Sequence, residues 1–140
     1  MQRIVLFVGC DNTGKTTIAK RLSNELKIPY FKNSREKEIW TAKTYNTLTG
    51  LAYEQPFILQ FLEQTGYSVI IDRGHLCEEA YSEVFERKTD KKLIKTVDTK
   101  FASLNARVIL CVKPAYELLN GWTREPYSKE SALQVQQVYL

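Results

Sequence analysis

The sequence predicts an α/β fold, with a small parallel sheet covered by helices on both faces. Two observations carry that prediction. Short apolar runs, each closed by glycine, proline or a polar cluster, alternate with stretches whose apolar residues recur at helical spacing. The two unusual polar clusters, Gly9 to Thr17 and Asp72 to His75, each directly follow an apolar run. That is where the crevice of a parallel sheet lies, beyond the carboxyl ends of its strands.

The elements follow in order. Ile4 to Val8 is the first strand, stopped by Gly9, and Lys15 to Leu26 places Ile18, Ala19, Leu22 and Leu26 on one helical face. After the Lys27-Ile28-Pro29 break, Ile28 to Lys32 is a short second strand that runs into a polar connection, Asn33 to Glu38. Between Tyr45 and Gln64, Leu48, Leu51, Ala52, Ile58, Leu59 and Leu62 recur as in a helix, which Pro56 kinks or restarts and Gly66 ends. Tyr67 to Ile71 is a strand that stops at Asp72-Arg73-Gly74-His75. Helical spacing returns at Cys77, Tyr81, Val84 and Phe85, then from Arg87 to Lys100 and on to Leu104. Arg107 to Val112 is a further strand, closed by Pro114. A short helix from Tyr116 to Leu119, a loop carrying Trp122 to Pro126, and a last helix capped by Ser128 complete the chain.

Composition bounds the function. A length of 140 residues suits one domain, residues 1–140, and 44% apolar with 26% charged residues is the globular balance, which excludes disordered and collagenous chains. The longest apolar run is far short of the roughly 20 residues a membrane helix needs, and Met1-Gln2-Arg3 has no secretory layout. The expectation is a cytoplasmic protein with no membrane partner. Cys10, Cys77 and Cys111 are far apart and share no metal-ligand spacing, which points to a reducing compartment and away from structural zinc. The net charge of +4 suits anionic substrates and falls short of the field of a duplex-DNA binder.

Gly9-Cys10-Asp11-Asn12-Thr13-Gly14-Lys15-Thr16 fits G-x-x-x-x-G-K-[ST] between a strand and a helix, the context in which the motif works. Glycines let the backbone curl so that successive N–H groups face phosphate oxygens, and the helix dipole adds to their field. Lys15 supplies a point charge for the β- and γ-phosphates, Thr16 a hydroxyl for Mg²⁺, and Thr17 a further phosphate contact. The loop predicts a P-loop protein that binds a nucleoside triphosphate with Mg²⁺. With no N-K-x-D, and no D-x-x-G after a later strand, the sequence is not that of a GTPase switch.

From Val5 to Thr17, at Ile70-Ile71-Asp72-Arg73, and at Arg124-Glu125 downstream of a strand and short helix, the sequence resembles the thymidylate kinase-like branch of P-loop nucleotide and nucleoside kinases, viral versions included. The resemblance implies a three-layer, nucleoside monophosphate kinase-like fold. It places the donor nucleotide on the phosphate loop and a small-molecule nucleotide acceptor across it. Family members usually end in a further strand and helix whose loop touches the adenine; the resemblance leaves two readings here, a chain cut short of them or a reduced enzyme with a four-strand sheet that lacks the last strand.

The resemblance also implies roles for particular residues. Asp11 lies near the acceptor's sugar. Asp72 holds Mg²⁺ through water or orients the attacking oxygen, and Arg73 grips the acceptor's phosphate with its planar fork. Arg124, in a lid-like segment at about 115–130, brings a cation to the transferring phosphoryl, with Lys129 as a weaker alternative. Arg35, with Lys32 and Lys37, faces the acceptor. Tyr45, Tyr53, Phe57, Gln60 and Tyr81 are candidates for contact with the base.

The leading expectation is thus phosphoryl transfer from ATP to a deoxynucleoside monophosphate. A deoxynucleoside kinase, with Glu36 or Glu38 accepting the hydroxyl proton, is the first alternative. A kinase of nucleic acid, motivated by six basic and two acidic residues between Arg87 and Lys100, is the second. A non-catalytic ATP-binding subunit is the third. Assembly as a homodimer stays open.

Overall fold

The computed structural model describes residues 1–10, 13–32, 54–86, 89–119 and 129–140. In chain order the elements are β1 (Ile4–Val8), α1 (Lys15–Leu26), β2 (Tyr30–Lys32), α2 (Gln55–Thr65), β3 (Val69–Asp72), α3 (His75–Val84), α4 (Lys91–Ser103), β4 (Arg107–Leu110), α5 (Ala115–Leu119) and α6 (Lys129–Tyr139).

The four strands form one parallel sheet in the order β2-β3-β1-β4. Parallel strands need crossovers, and the helices between them supply these and cover both faces. Along β1 the side chains alternate between the faces. Ile4 and Leu6 pack with Ile71, with Leu59 and Leu62 of α2, and with Val97 and Phe101 of α4. Val5 and Phe7 pack on the other face with Ile70, Ile28 and Ala19 of α1. A third cluster lies beyond the strand ends, where Val8 and Cys10 meet Cys77, Ala80 and Tyr81 of α3, Leu118 of α5 and Val135 of α6. Each fully buried large side chain, such as Phe7, Ile70 or Phe101, contributes roughly 1.5–3 kcal/mol. The edge differs from the centre: Val108, Ile109 and Leu110 of β4 remain 48%, 38% and 37% exposed.

Local chemistry sets the boundaries. Pro56 lies in the first turn of α2, where its missing N–H costs nothing, and Gly66 closes that helix at φ 68° with its N–H on the Leu62 carbonyl. Pro56 therefore lies at the start of this helix. Helix α4 begins at Lys91, where the Asp90 carboxylate caps it, accepting from Leu93 N–H at 3.0 Å. Ile28 belongs to the core, yet β2 begins only at Tyr30, after Pro29. Strand β4 stops at Leu110, short of Val112, as the next carbonyl, that of Cys111, turns towards Gly9. No helix among the described residues is long and apolar enough to cross a membrane.

Candidate active site

Strands β1 and β3 are neighbours, so their carboxyl ends deliver both polar clusters to one place. At the β1 exit, Gly9 has φ 144° and sits so close to the returning chain that a Cβ there would be 2.4 Å from the Cys111 carbonyl oxygen. Only glycine fits. Thr13 Oγ1 donates to the Cys10 carbonyl at 2.9 Å, Gly14 takes a left-handed φ of 79°, and α1 starts directly after it. Cys10 is buried in the third core cluster, so it serves the loop through its backbone. Thr17 is exposed on the first turn of α1, while Lys15 is buried and Thr16 partly so. Asp11 and Asn12 lie outside the described residues.

At the β3 exit, Asp72 is completely buried. Its Oδ2 accepts from Thr16 Oγ1 and from the Tyr30 hydroxyl, both at 2.6 Å, and Lys15 Nζ lies 3.3 Å from Oδ1. Burial alone would raise the Asp72 pKa, but the two hydroxyl donors and the Lys15 charge outweigh it and hold the carboxyl below its ordinary value. Burial, followed by the Arg73 guanidinium, pulls the Lys15 ammonium below the usual lysine range against the opposing attraction of Asp72. Burial and the hydrogen bond to Asp72 push the Tyr30 phenol up, so it stays a donor.

Arg73 follows in a left-handed conformation, φ 74°, which is strained for a residue with a Cβ. Its N–H donates to the Phe7 carbonyl at 2.9 Å, which extends the β1–β3 ladder by one step, and its guanidinium lies 5.6 Å from the centre of the Tyr81 ring. Tyr81 is thus buried support for Arg73, and its ring also stacks on Phe85. Phe57 and Gln60 are exposed on α2, and Lys32 is exposed at the end of β2, in register with Asp72. Arg35, Lys37, Tyr45, Tyr53 and Arg124 lie outside the described residues, as do most of the segment 115–130 and the side chain of Lys129.

Three contacts are not legible in the sequence. Tyr30 looked like strand filler, and only its register with Ile70 carries the hydroxyl to Asp72. His75 is buried against α4, with Nε2 2.9 Å from Asp98 Oδ1. Gln136 of α6 pairs with both backbone groups of Lys113, accepting from its N–H at 3.1 Å and donating to its carbonyl at 2.7 Å. The Gln136 oxygen also receives the Cys10 thiol at 3.9 Å, so the last helix braces the root of the phosphate loop.

The donor set fits Mg²⁺. Thr16 and Asp72 offer hard oxygens side by side, and the buried Asp72 Oδ1 faces the Lys15 ammonium at 3.3 Å, while both hydroxyl donors are on Oδ2. Among the described residues no group of three or more His, Cys, Asp or Glu side chains is placed to hold a metal ion. A cation here would take its remaining ligands from nucleotide phosphates and water, as Mg²⁺ prefers.

Comparison with known proteins supports the architecture. Over 97% of its length this chain superimposes on 76% of YorR protein from Bacillus subtilis, solved in complex with phosphorylated GDP, with a TM-score of 0.70 and 20% identity. Over 96% it superimposes on 80% of deoxyadenosine kinase from M. mycoides, solved with the products dCMP and dCDP bound, with a TM-score of 0.57 and 17% identity. Thymidylate kinase from Ehrlichia chaffeensis aligns over 99% of both chains at 15% identity, with a TM-score of 0.47 that carries no argument. A search of curated proteins returns no match. The first two likenesses show the fold, an α/β P-loop architecture of the nucleoside monophosphate kinase type. Residues 4–140, which span every strand and helix around Asp72, match the family model described as AAA domain, and the chain belongs to that family.

Proposed function

We propose that the protein transfers the γ-phosphoryl group of ATP, with Mg²⁺, to a deoxynucleoside monophosphate. The observation that carries this reading is the convergence of Lys15 and Thr16 on the buried Asp72, with the Arg73 guanidinium alongside. The loop after β1 binds the donor's phosphates through backbone N–H groups and Lys15. In this reading Arg73 grips the acceptor's phosphate, and its charge offsets the repulsion between two phosphorylated substrates. Thr16 and Asp72 would hold Mg²⁺, which would supply positive charge against the donor's terminal phosphates. In the transfer, an acceptor oxygen forms a bond to the γ-phosphorus as the bond to the β-phosphate oxygen breaks, and Lys15 faces the charge that grows on the leaving side.

The ionised state of Asp72 favours a phosphate as acceptor. A carboxyl held below its ordinary pKa is a poor proton acceptor, so Asp72 suits a cation better than general-base work. A monophosphate oxygen attacks without first losing a proton, whereas a nucleoside hydroxyl needs a base. The nucleoside reading nevertheless stands second, because a structural neighbour is a deoxyadenosine kinase.

The test is ADP release from MgATP, scanned over deoxynucleoside monophosphates, free deoxynucleosides and single-stranded DNA at one salt concentration. Stimulation by a monophosphate, with Arg73→Ala raising its KM, supports the proposal. Stimulation by nucleosides or DNA alone, or an unchanged acceptor KM in Arg73→Ala, contradicts it.

A further inference from the structure

His75 is the chain's single histidine. It occupies the first position of α3, two residues after Arg73, and is 1% exposed. Two side chains of α4, three residues apart and hence on one face, enclose its ring. Asp98 Oδ1 lies 2.9 Å from Nε2, and Phe101 stacks on the ring, with centroids 5.3 Å apart and planes within 7°. An ionised carboxylate only accepts, so Nε2 carries the proton and donates to Asp98. Nδ1 is buried without a partner, a bare lone pair in the neutral ring, which costs less than an orphaned N–H would. Phe101 is itself set in the core beneath β1 and β3, so the clamp is anchored to the sheet.

Helix α3 governs Arg73 twice over. The strained backbone of Arg73 leads through Gly74 into the first turn, whose Cys77 and Glu78 N–H groups both donate to the Gly74 carbonyl, at 3.1 and 3.3 Å. One turn further along, Tyr81 of the same helix lies beneath the guanidinium. Strained conformations persist only where their surroundings over-determine them. The fixed point for the start of α3 is His75.

We propose that His75, clamped by Asp98 and Phe101, is a positioning residue that sets the backbone and guanidinium of Arg73 for the acceptor. The inference rests on the acceptor reading of Arg73. The His75 clamp is made by α4, whereas α3 meets the phosphate loop through Cys77, Ala80 and Tyr81, packed with Val8 and Cys10, so loosening the clamp weakens the acceptor more than the donor.

Asp98 is the residue to alter, because at 52% exposure its side chain can be removed without opening the core. Wild type, Asp98→Ala, Asp98→Asn and Arg73→Ala are compared in ADP release from MgATP, with the four deoxynucleoside monophosphates as acceptors. Asp98→Ala is expected to raise the acceptor KM about fivefold, the loss of one oriented hydrogen bond, with a clearly smaller change in the ATP KM. Asp98→Asn, whose amide oxygen still accepts from Nε2–H, is expected to restore most of that loss. An acceptor KM unmoved in Asp98→Ala while Arg73→Ala raises it overturns the clamp. Equal rises in both KM values, without rescue by asparagine, overturn it in favour of a merely structural pair. An Arg73→Ala variant with unchanged acceptor KM overturns the acceptor reading, and the clamp with it.

Discussion

The ends of β1 and β3 lie side by side and are built by different means. At the β1 exit the backbone conformation does the work: Gly9 and Gly14 take positive φ angles, and Cys10 turns its side chain into the core. At the β3 exit the side chains do it, with Asp72 collecting Thr16, Tyr30 and Lys15 while Arg73 rests on Tyr81. A backbone cradle depends on which residues can be omitted, and a side-chain cluster on which can be brought together. The first leaves a compact motif in the sequence, and the second scatters its members across the chain.

That contrast is sharpest in the chemistry. Lys15→Ala removes the one side-chain cation of the β1 loop that faces Asp72, and turnover is expected to fall by roughly three orders of magnitude, with the circular dichroism spectrum unchanged. Asp72 keeps its two hydroxyl donors in that variant, so the fold survives. A kcat/KM close to wild type would remove Lys15 from the mechanism.

The glycines test the same contrast in stability. At Gly9 an alanine meets the Cys111 carbonyl, and its φ of 144° already excludes a side chain; Gly9→Ala is expected to cost at least about 2 kcal/mol. At Gly74 a Cβ would touch nothing within 4 Å and the backbone is extended, so Gly74→Ala should stay within about 0.5 kcal/mol of wild type. Urea unfolding of the pair distinguishes them, and equal losses would mean that both exits are built on backbone shape.

A smaller effect is expected from Tyr30→Phe, which takes one donor from Asp72 and should destabilise by about 1 kcal/mol. The folded Asp72 pKa lies below its ordinary 3.8, so its contribution is complete above that value and is lost as pH falls through the folded pKa. Losing the Tyr30 donor raises the folded pKa and shrinks that window. Stability followed against pH should show a shallower acid loss in Tyr30→Phe than in wild type; identical slopes would remove Tyr30 from the cluster.

The parts legible in the sequence were those whose signal is local. The glycine loop and the Asp72-Arg73 strand end are contiguous, and Pro56 and Gly66 punctuate α2 from within. What stayed hidden depends on register and packing. Tyr30 and Asp72 are 42 residues apart, joined only because β2 pairs with β3. His75 and Asp98 are separated by 23 residues and a turn between two helices, and the same separation hides Gln136 from Lys113. Periodicity marks Asp98 as a solvent-facing residue of an amphipathic helix, which it half is, and gives no sign of what its other side meets.

The apolar rim of the sheet carries a last consequence, for behaviour in concentrated solution. Val108, Ile109 and Leu110 lie at the edge strand among the described residues, with both faces partly open to solvent. A flat apolar edge invites self-association, strand against strand. Here the triplet is bracketed by Arg107 and Lys113, two positive charges that meet their own likenesses whenever two such edges approach. The charges act as gatekeepers, and dilute salt rather than concentrated salt is the medium in which their repulsion is strongest.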